Sequence, residues 1–600
     1  MKDLGVTIDR LQRMLLSECH EQNHWTGQLS SSALSTATAV FALSAVDPQA
    51  HASAIDRGHA WLISHQNEDG GWGDTTINQS NLSTTLLVYS ALTVTSPAPD
   101  VINACENYLS DIADSLQPEA LVQAVLQAYG EDRTFSVPIL TTCALAGRLG
   151  PDAWSHVPDL PFELAVLPQS WFKLLQMPVV SYALPALIAI GQVAFHHRRP
   201  ACPIRRWLRT WARPKSLRVL TRLQPDNGGF LEAAPLTGFV IMSLAHCGQR
   251  DHLVTRKGAR FLLDSQRPDG SWPIDTNLAT WVSSMAIQAL GPEGLSDGHR
   301  RSLLTWLLNQ QHCRVHPYTL ADPGGWAWTD LPGAVPDADD TPGALLALKD
   351  LDPEATRCHD AVKAALLWLL NLQNRDGGIP TFCRGWGKLP FDRSCADLTA
   401  HALAAWSVWK PLMPPSLQIR IGKAMQRALE FLRQIQRPDG AWAPLWFGNE
   451  HVRGMINPAY GTARTLSHLA RLQPRELAAM QDPCHRALQW LLAAQKISGA
   501  WGGDAKAPAT IEETALALDA LAGHALTGSY PNDLRGSIQK ALTQGAQALI
   551  ALVSQHDTLP SSPIGLYFAR LWYHEKLYPL IFSLAALRKV RQACQDSSFK

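Results

Sequence analysis

Six times along the chain a glutamine is followed, six positions later, by a large apolar residue, with a glycine turn between them. Gln66 leads to Trp72, Gln266 to Trp272, Gln436 to Trp442 and Gln495 to Trp501; Gln224 to Phe230 and Gln373 to Ile379 are weaker copies. A unit recurring at fixed internal spacing is an internal repeat, and a repeat buries its apolar face against its neighbours. Each copy follows a helical stretch. Before Gln436, Met425, Leu429, Leu432 and Ile435 recur at steps of three and four, with Lys423, Arg427, Glu430 and Arg433 on the other face, the period of a surface helix. Before Gln373 the run AVKAALLWLLNL is apolar nearly all round, as in a helix buried on two sides. The Asp-Gly then stops the helix and turns the chain.

The glutamine amide can bond free backbone groups at a helix end, and the tryptophan can lie over the turn. The repeat therefore predicts a clasp between successive helices, which is architecture rather than chemistry. After each copy another helical pattern begins, as in STTLLVYSAL and EETALALDALAG, and β-branched alternation is rare. Helix hairpins that curve and close give an α/α-toroid, with inner helices lined by outer ones. The copies fall into two groups, so the expected fold is all-α, with two toroids. The expected boundaries are residues 1–20 for an N-terminal segment packing on the second toroid, 21–278 for the first toroid and 279–600 for the second.

Between the two groups lies DPGGWAWTDLPGAVPDADDTPGALL, residues 322–346. Asp337, Asp339 and Asp340 are crowded together, bracketed by Pro336 and Pro342, with Trp326 and Trp328 just upstream. Pro336 biases its predecessor away from helix, and Pro342 suits a first helical turn. Three carboxylates away from water cannot all ionise, so at least one keeps its proton and becomes a candidate Brønsted acid. The plainer reading is an acidic turn at a helix start, where aspartates are favoured anyway. Downstream, Asp397 and His401 are four apart on one predicted helix face, a spacing that suits a histidine orienting an acid.

Lys+Arg and Asp+Glu balance at 52 each, which gives no polyanion-binding signature and no expectation of nucleic acid. Charged residues are only 17%, and there are 21 tryptophans; such a chain predicts large buried apolar surfaces. Eleven cysteines without paired spacing argue for reduced thiols in a cytosolic setting, and against a zinc site. The N-terminus, MKDLGVTIDRLQRMLLSE, shows no export signal. Leu174 to Phe195 is the most apolar window, but Gln176, Pro178 and Pro185 favour a buried helix over a membrane span. From His196 to Arg218 arginines alternate with Trp207 and Trp211; a bilayer interface and a solvated basic face both fit.

Taken together, these segments resemble the squalene–hopene cyclase family of class II triterpene cyclases. The repeat is similar to that family's Gln–Trp motif, PGGWAWTDLPGAVPDADDTPG to its DxDD acid segment, and ADLTAH to its histidine segment. PDGAWAPLWFGN with NPAYGT resembles its later aromatic motif, and LYFARLWYHEKLYPL its C-terminal segment. The resemblance implies that Asp339 is the proton donor, that Asp337 and Asp340 flank and tune it, that His401 hydrogen-bonds it as an imidazolium, and that Asp397 supports His401. It implies cavity aromatics at Trp281, Trp326, Trp328, Phe382 and Trp446, and a reprotonation role near Tyr460. It implies two toroids enclosing a large apolar cavity, attachment to one membrane leaflet from the cytoplasmic side, a possible homodimer, and no metal or other cofactor. Squalene is the implied substrate and a hopene-type polycyclic triterpene the implied product. Departures fall where relatives carry other residues: Thr38 and Leu87 in place of acids, Pro178 near an expected tryptophan, Leu571 and His574 where tyrosines are common, and a short stretch after Phe382. These leave initiation intact and bear on termination. The rival expectations are cyclisation of another polyprenyl substrate, such as a prenyl diphosphate or meroterpenoid precursor, and a non-catalytic lipid-binding toroid.

Overall fold

The computed structural model describes the chain apart from residues 1–2, 20–23, 96–97, 131, 169–170, 172–182, 318, 381–391, 528–529, 567–569 and 596–600. The chain forms two compact units: Leu29–Thr276 with Leu331–Ala334, and Met1–Gln28 with Asn277–Asp330 and Val335–Lys600.

In the first of these, five inner helices are found among the described residues: α1 (Ala33–Val46), α2 (Leu82–Thr95), α3 (Arg133–Leu145), α4 (Leu184–His197) and α5 (Ala234–His246). Each packs on the next, and α5 packs back on α1, so the series closes into a ring. Inner helices are buried almost all round, which their sequences permit because the polar residues are small. Thr36, Thr38, Ser90, Thr141 and Ser243 donate their hydroxyls to the carbonyl four residues back and so enter the core without an unsatisfied donor. The apolar window read as a buried helix continues into α4, whose Ile188, Ala189, Ile190 and Val193 are buried.

The second unit has six inner helices among its described residues: α6 (Ala279–Leu290), α7 (Asp340–Leu351), α8 (Ala396–Trp409), α9 (Pro458–Leu469), α10 (Ile511–Thr527) and α11 (Tyr578–Gln595). They too pack in succession, with α11 against α6. Outer helices such as Pro415–Ile435 cover them, burying Leu417, Ile421, Met425, Leu429 and Leu432 along one face. The N-terminal helix Asp3–Ser17 packs on α11 and on the outer helix Asn532–Ser554. Both units are therefore α/α-toroids, and strand is confined, among the described residues, to three two-stranded pairs. No helix among the described residues is long and apolar enough to cross a membrane.

The clasps are built alike. The amide of Gln66 donates to Gly70 O in its own turn and to Val101 O in the next outer helix; Gln436 does the same with Gly440 and Pro483. The tryptophan Nε1–H donates to the preceding helix, Trp72 to Leu62 O and Trp442 to Leu432 O, while the backbone N–H meets a threonine hydroxyl on the next inner helix, Thr85 or Thr462. The turn glycine is obligatory: Gly70 has φ +86° and a Cβ there would lie 2.4 Å from Ala104 O. In the first unit the last clasp returns to the start, Gln266 donating to Ala54 O.

A seventh clasp was hidden from the sequence pattern. Gln311 donates to Gly324 O and Ala361 O at 2.8 and 2.9 Å, and Trp326 donates Nε1–H to Leu307 O and its backbone N–H to Thr341 Oγ1. Twelve residues, 312–323, separate glutamine from glycine in the sequence, so the six-residue spacing is lost while the bonding survives.

Candidate active site

The seventh clasp holds the acid loop. Trp326 O accepts the N–H of Asp337 at 3.0 Å, and from there the chain enters α7. Asp337 Oδ1 accepts the N–H groups of Asp339 and Asp340, both at 2.8 Å. Asp337 thus occupies two of the free donors that every helix start presents. Burial pushes the Asp337 carboxyl up to about 6, against the hydrogen bonds it accepts. Asp340 is raised well above its ordinary value, first by burial and then by the charge of Asp337. Of the two, Asp340 is the carboxyl whose protonated form burial and its neighbour's charge favour more.

Asp339 is placed differently. It stands at the N-cap of α7 but makes no side-chain cap bond. Its Oδ1 lies 2.7 Å from His401 Nδ1 on α8. Its side chain is 20% exposed, against 4% and 6% for the whole residues Asp337 and Asp340. One acid of the three therefore has both a partnered oxygen and an accessible surface. His401 itself is buried. Burial holds its pKa below the usual histidine value, helped by the positive Arg464 and Arg471 and opposed by the bond to Asp339. Desolvation therefore works against the expected imidazolium, and the Asp339 bond works for it.

Asp397 lies one turn before His401 on α8 and reaches neither His401 nor Asp339 by a hydrogen bond. It accepts the Cys395 thiol at 2.6 Å, and burial pushes its carboxyl up to about 6. Cys395 Sγ also takes the Leu445 N–H, next to the buried Trp446. Trp281, on α6, sets its ring edge toward His401 with centroids 6.2 Å apart and donates Nε1–H to Tyr578 Oη. Tyr460, at the start of α9, is buried beside Phe447, with its phenol raised far above its ordinary value by burial, and the charges of Asp339 and Asp397 add to this. Trp328 is half-buried, and its carbonyl caps α6 by accepting the Thr280 and Trp281 N–H groups.

Trp326 is a correction. Expected among the cavity aromatics, it is fully buried in the seventh clasp, with its indole N–H spent on Leu307. Phe382 lies outside the described residues, as does Pro178. Thr38 and Leu87 are buried in inner helices of the first unit. Sequence reasoning missed the face that continues from Tyr460 along α9: Arg464 and His468 follow at steps of four, and His468 stacks on His401 at 4.2 Å between centroids. That four-residue stripe was the available signal. It also missed the phenol pair Tyr573–Tyr578, 2.9 Å apart.

Comparison with known proteins gives the arrangement a family. The squalene-hopene cyclase C-terminal domain matches residues 278–589, more than half of the chain, and the squalene-hopene cyclase N-terminal domain matches residues 8–102. The chain belongs to the squalene–hopene cyclase family. That family is one of class II terpene cyclases. It is 23% identical to the squalene–hopene cyclase of Alicyclobacillus acidocaldarius, over 77% of this chain and 78% of that one. It is 25% identical to the enfumafungin synthase of Hormonema carpetanum over 80% of this chain, and spans only 40% of that longer protein. It is also 28% identical to the drimenyl diphosphate synthase of Streptantibioticus cattleyicolor, over 43% of this chain and 46% of that one. The acid loop, His401 and Tyr460 all fall within the C-terminal family match.

Proposed function

We propose that this protein protonates a terminal alkene of squalene with Asp339 and cyclises the resulting cation to a polycyclic triterpene of the hopene type. The observation that carries this is the division of labour in the loop: the Asp337 carboxylate accepts the N–H groups of Asp339 and Asp340 at the helix start, the Asp340 side chain is buried, and Asp339 alone combines accessible surface with a histidine partner. His401 engages Oδ1, which leaves Oδ2 to face the substrate. The Oδ2 proton adds to the alkene π pair, leaving a carboxylate on Asp339 and a tertiary carbocation. A neutral His401 donating Nδ1–H to Oδ1 strengthens its bond as that negative charge develops, and so strengthens the acid. Aromatic faces then shelter the cation, each contributing about 0.5–2 kcal/mol; Trp281, Trp328, Trp446 and Tyr460 fill this role in an apolar cavity that also folds the chain and excludes water.

The test is incubation of the purified protein with squalene in detergent, followed by mass spectrometry of extracted lipids. Cyclic C30 products are expected from wild type and none from Asp339→Asn, with unchanged melting. Product from Asp339→Asn would sink the assignment of the acid, and untouched squalene the assignment of substrate. Similarity to a drimenyl diphosphate synthase over 43% of this chain favours one second reading, cyclisation of a prenyl diphosphate; farnesyl and geranylgeranyl diphosphate with magnesium are the arms that separate it.

We also propose attachment to a membrane surface from the cytoplasmic side. The helix Pro203–Leu223 exposes Ile204, Trp207 and Trp211 among its arginines, a pairing suited to the interfacial region of a bilayer. Flotation with anionic vesicles should be lost in Trp207→Ser with Trp211→Ser; equal flotation of the double variant would remove this helix from the proposal.

A further inference from the structure

The ring of the second unit has a bore, and the bore is polar. A pocket of about 300 Å3 lies within it, and all six inner helices contribute to its wall. One stripe of its positive wall, Arg464, His468 and Arg471, follows at steps of four and three from α9, and α11 adds Arg588 and Lys589. Among the described residues no carboxylate comes within 4.0 Å of the Arg464 or Arg471 guanidinium. The acids that share the pocket are otherwise occupied. Asp519 is held by Lys589 at 2.6 Å. Glu293 turns its side chain outward and stays 4.0 Å from Arg588. The Asp350 carboxyl is pushed up to about 6 by burial, against the opposing charges of Arg471 and Arg588, and makes no ion pair within 4.0 Å of Arg464 or Arg471. His468 is 94% buried, counting its 6% residual exposure, and its Nδ1 has no hydrogen-bond partner among the described residues.

Guanidinium groups withdrawn from water call for paired charge and filled donors. Their flat forks match the oxygens of a phosphate, which take two N–H donors at once. We infer that the bore is a binding site for a phosphate-class oxyanion, held by Arg464 and Arg471 with His468 completing the set. The pocket has room for inorganic phosphate or diphosphate. The site has a consequence for turnover, and this part rests on Asp339 being the acid. His401, bonded to Asp339, lines the same pocket. Empty, the bore presents positive charge behind the acid and favours its carboxylate. Filled, it loses that charge, the carboxylate left by proton transfer is less stabilised, and protonation of the alkene slows.

Isothermal titration of the wild-type full chain with inorganic phosphate, and separately with inorganic diphosphate, tests the site at ionic strength fixed with sodium chloride. One oxyanion should bind per chain, and Arg471→Gln should weaken it at least tenfold. Arg471→Lys keeps the charge and loses the fork, so it should fall between the two; it carries the test if Arg471→Gln does not fold. The tighter of the two probes identifies monophosphate or diphosphate as the ligand class. Absence of saturable binding by both, or undiminished affinity in a folded Arg471 variant, overturns the site. In the squalene assay the bound oxyanion should lower kcat several-fold in wild type and leave Arg471→Gln unaffected; binding without a change in kcat overturns the inhibition. Titration needs no turnover, so a chain that binds oxyanion and leaves squalene untouched refutes the proposed substrate and not this site.

Discussion

Replacing Asp337 by alanine separates its role as a scaffold from any role as a charge. The structure gives Asp337 two hydrogen bonds at 2.8 Å, from the N–H groups of Asp339 and Asp340. Hydrogen bonds to a charged group contribute about 1.5–3 kcal/mol each when intact, and losing a cap at a helix start costs up to about 2 kcal/mol. Bonds at one turn do not add in full, so the cap figure taken once to twice puts the loss at about 2–4 kcal/mol. If all of it is felt in the placement of Asp339, a factor of ten per 1.36 kcal/mol gives a fall in kcat of about 30- to 1,000-fold. Asp337→Asn keeps an acceptor oxygen at the same place and should retain activity within about tenfold of wild type on the same scale. The assay is squalene conversion by gas chromatography with mass spectrometry, paired with thermal melting of each variant. An asparagine variant that melts like wild type yet is as inactive as the alanine variant would refute this reasoning, because the charge and not the bonds would then matter.

Two further expectations concern stability. The Asp397 carboxyl is raised to about 6 by burial, against about 3.9 when unfolded, so the folded state binds the proton more tightly. Folded stability from this group is therefore unaffected below about pH 4, falls between about pH 4 and pH 6, and is lower by about 3 kcal/mol above that. Asp397→Asn lacks the titration, so the melting temperature of the variant minus that of wild type should become more positive from pH 4.5 to pH 7.5; a constant difference would remove Asp397 as a buried titrating group. Gln311→Ala deletes two amide hydrogen bonds and should cost about 1–3 kcal/mol in chemical denaturation, with kcat falling as well because the Trp326 clasp anchors Asp337; a loss under about 0.5 kcal/mol would mean that the seventh clasp does not bear weight.

Much of this architecture was legible because clasps are local. Gln, Gly and Trp must sit at fixed distances to bond one turn, so six copies betray themselves by spacing alone. The seventh escaped because residues 312–323 were inserted without disturbing the bonds at either end, and with it escaped the structural role of Trp326. The acid triplet was visible as a cluster, but its division of labour was not. Three aspartates within four positions read alike until the backbone decides which carboxyl turns back to the helix start and which turns to α8. Likewise His401 reads as a cation in sequence, and only the depth of its burial sets desolvation against that charge. The Arg464–His468 stripe was present at helical spacing, yet its chemistry depends on α9 facing the bore, which follows from ring closure rather than from any local signal.

That closure in the first unit has a mechanical consequence. An open array of repeats has two terminal members, each with a single neighbour, and it unzips from those ends. The amide of Gln266 reaches Ala54 O, so the last turn is fastened to the first outer helix like a hoop around staves. No member is left as an outermost one, and loosening any single stave is resisted from both sides.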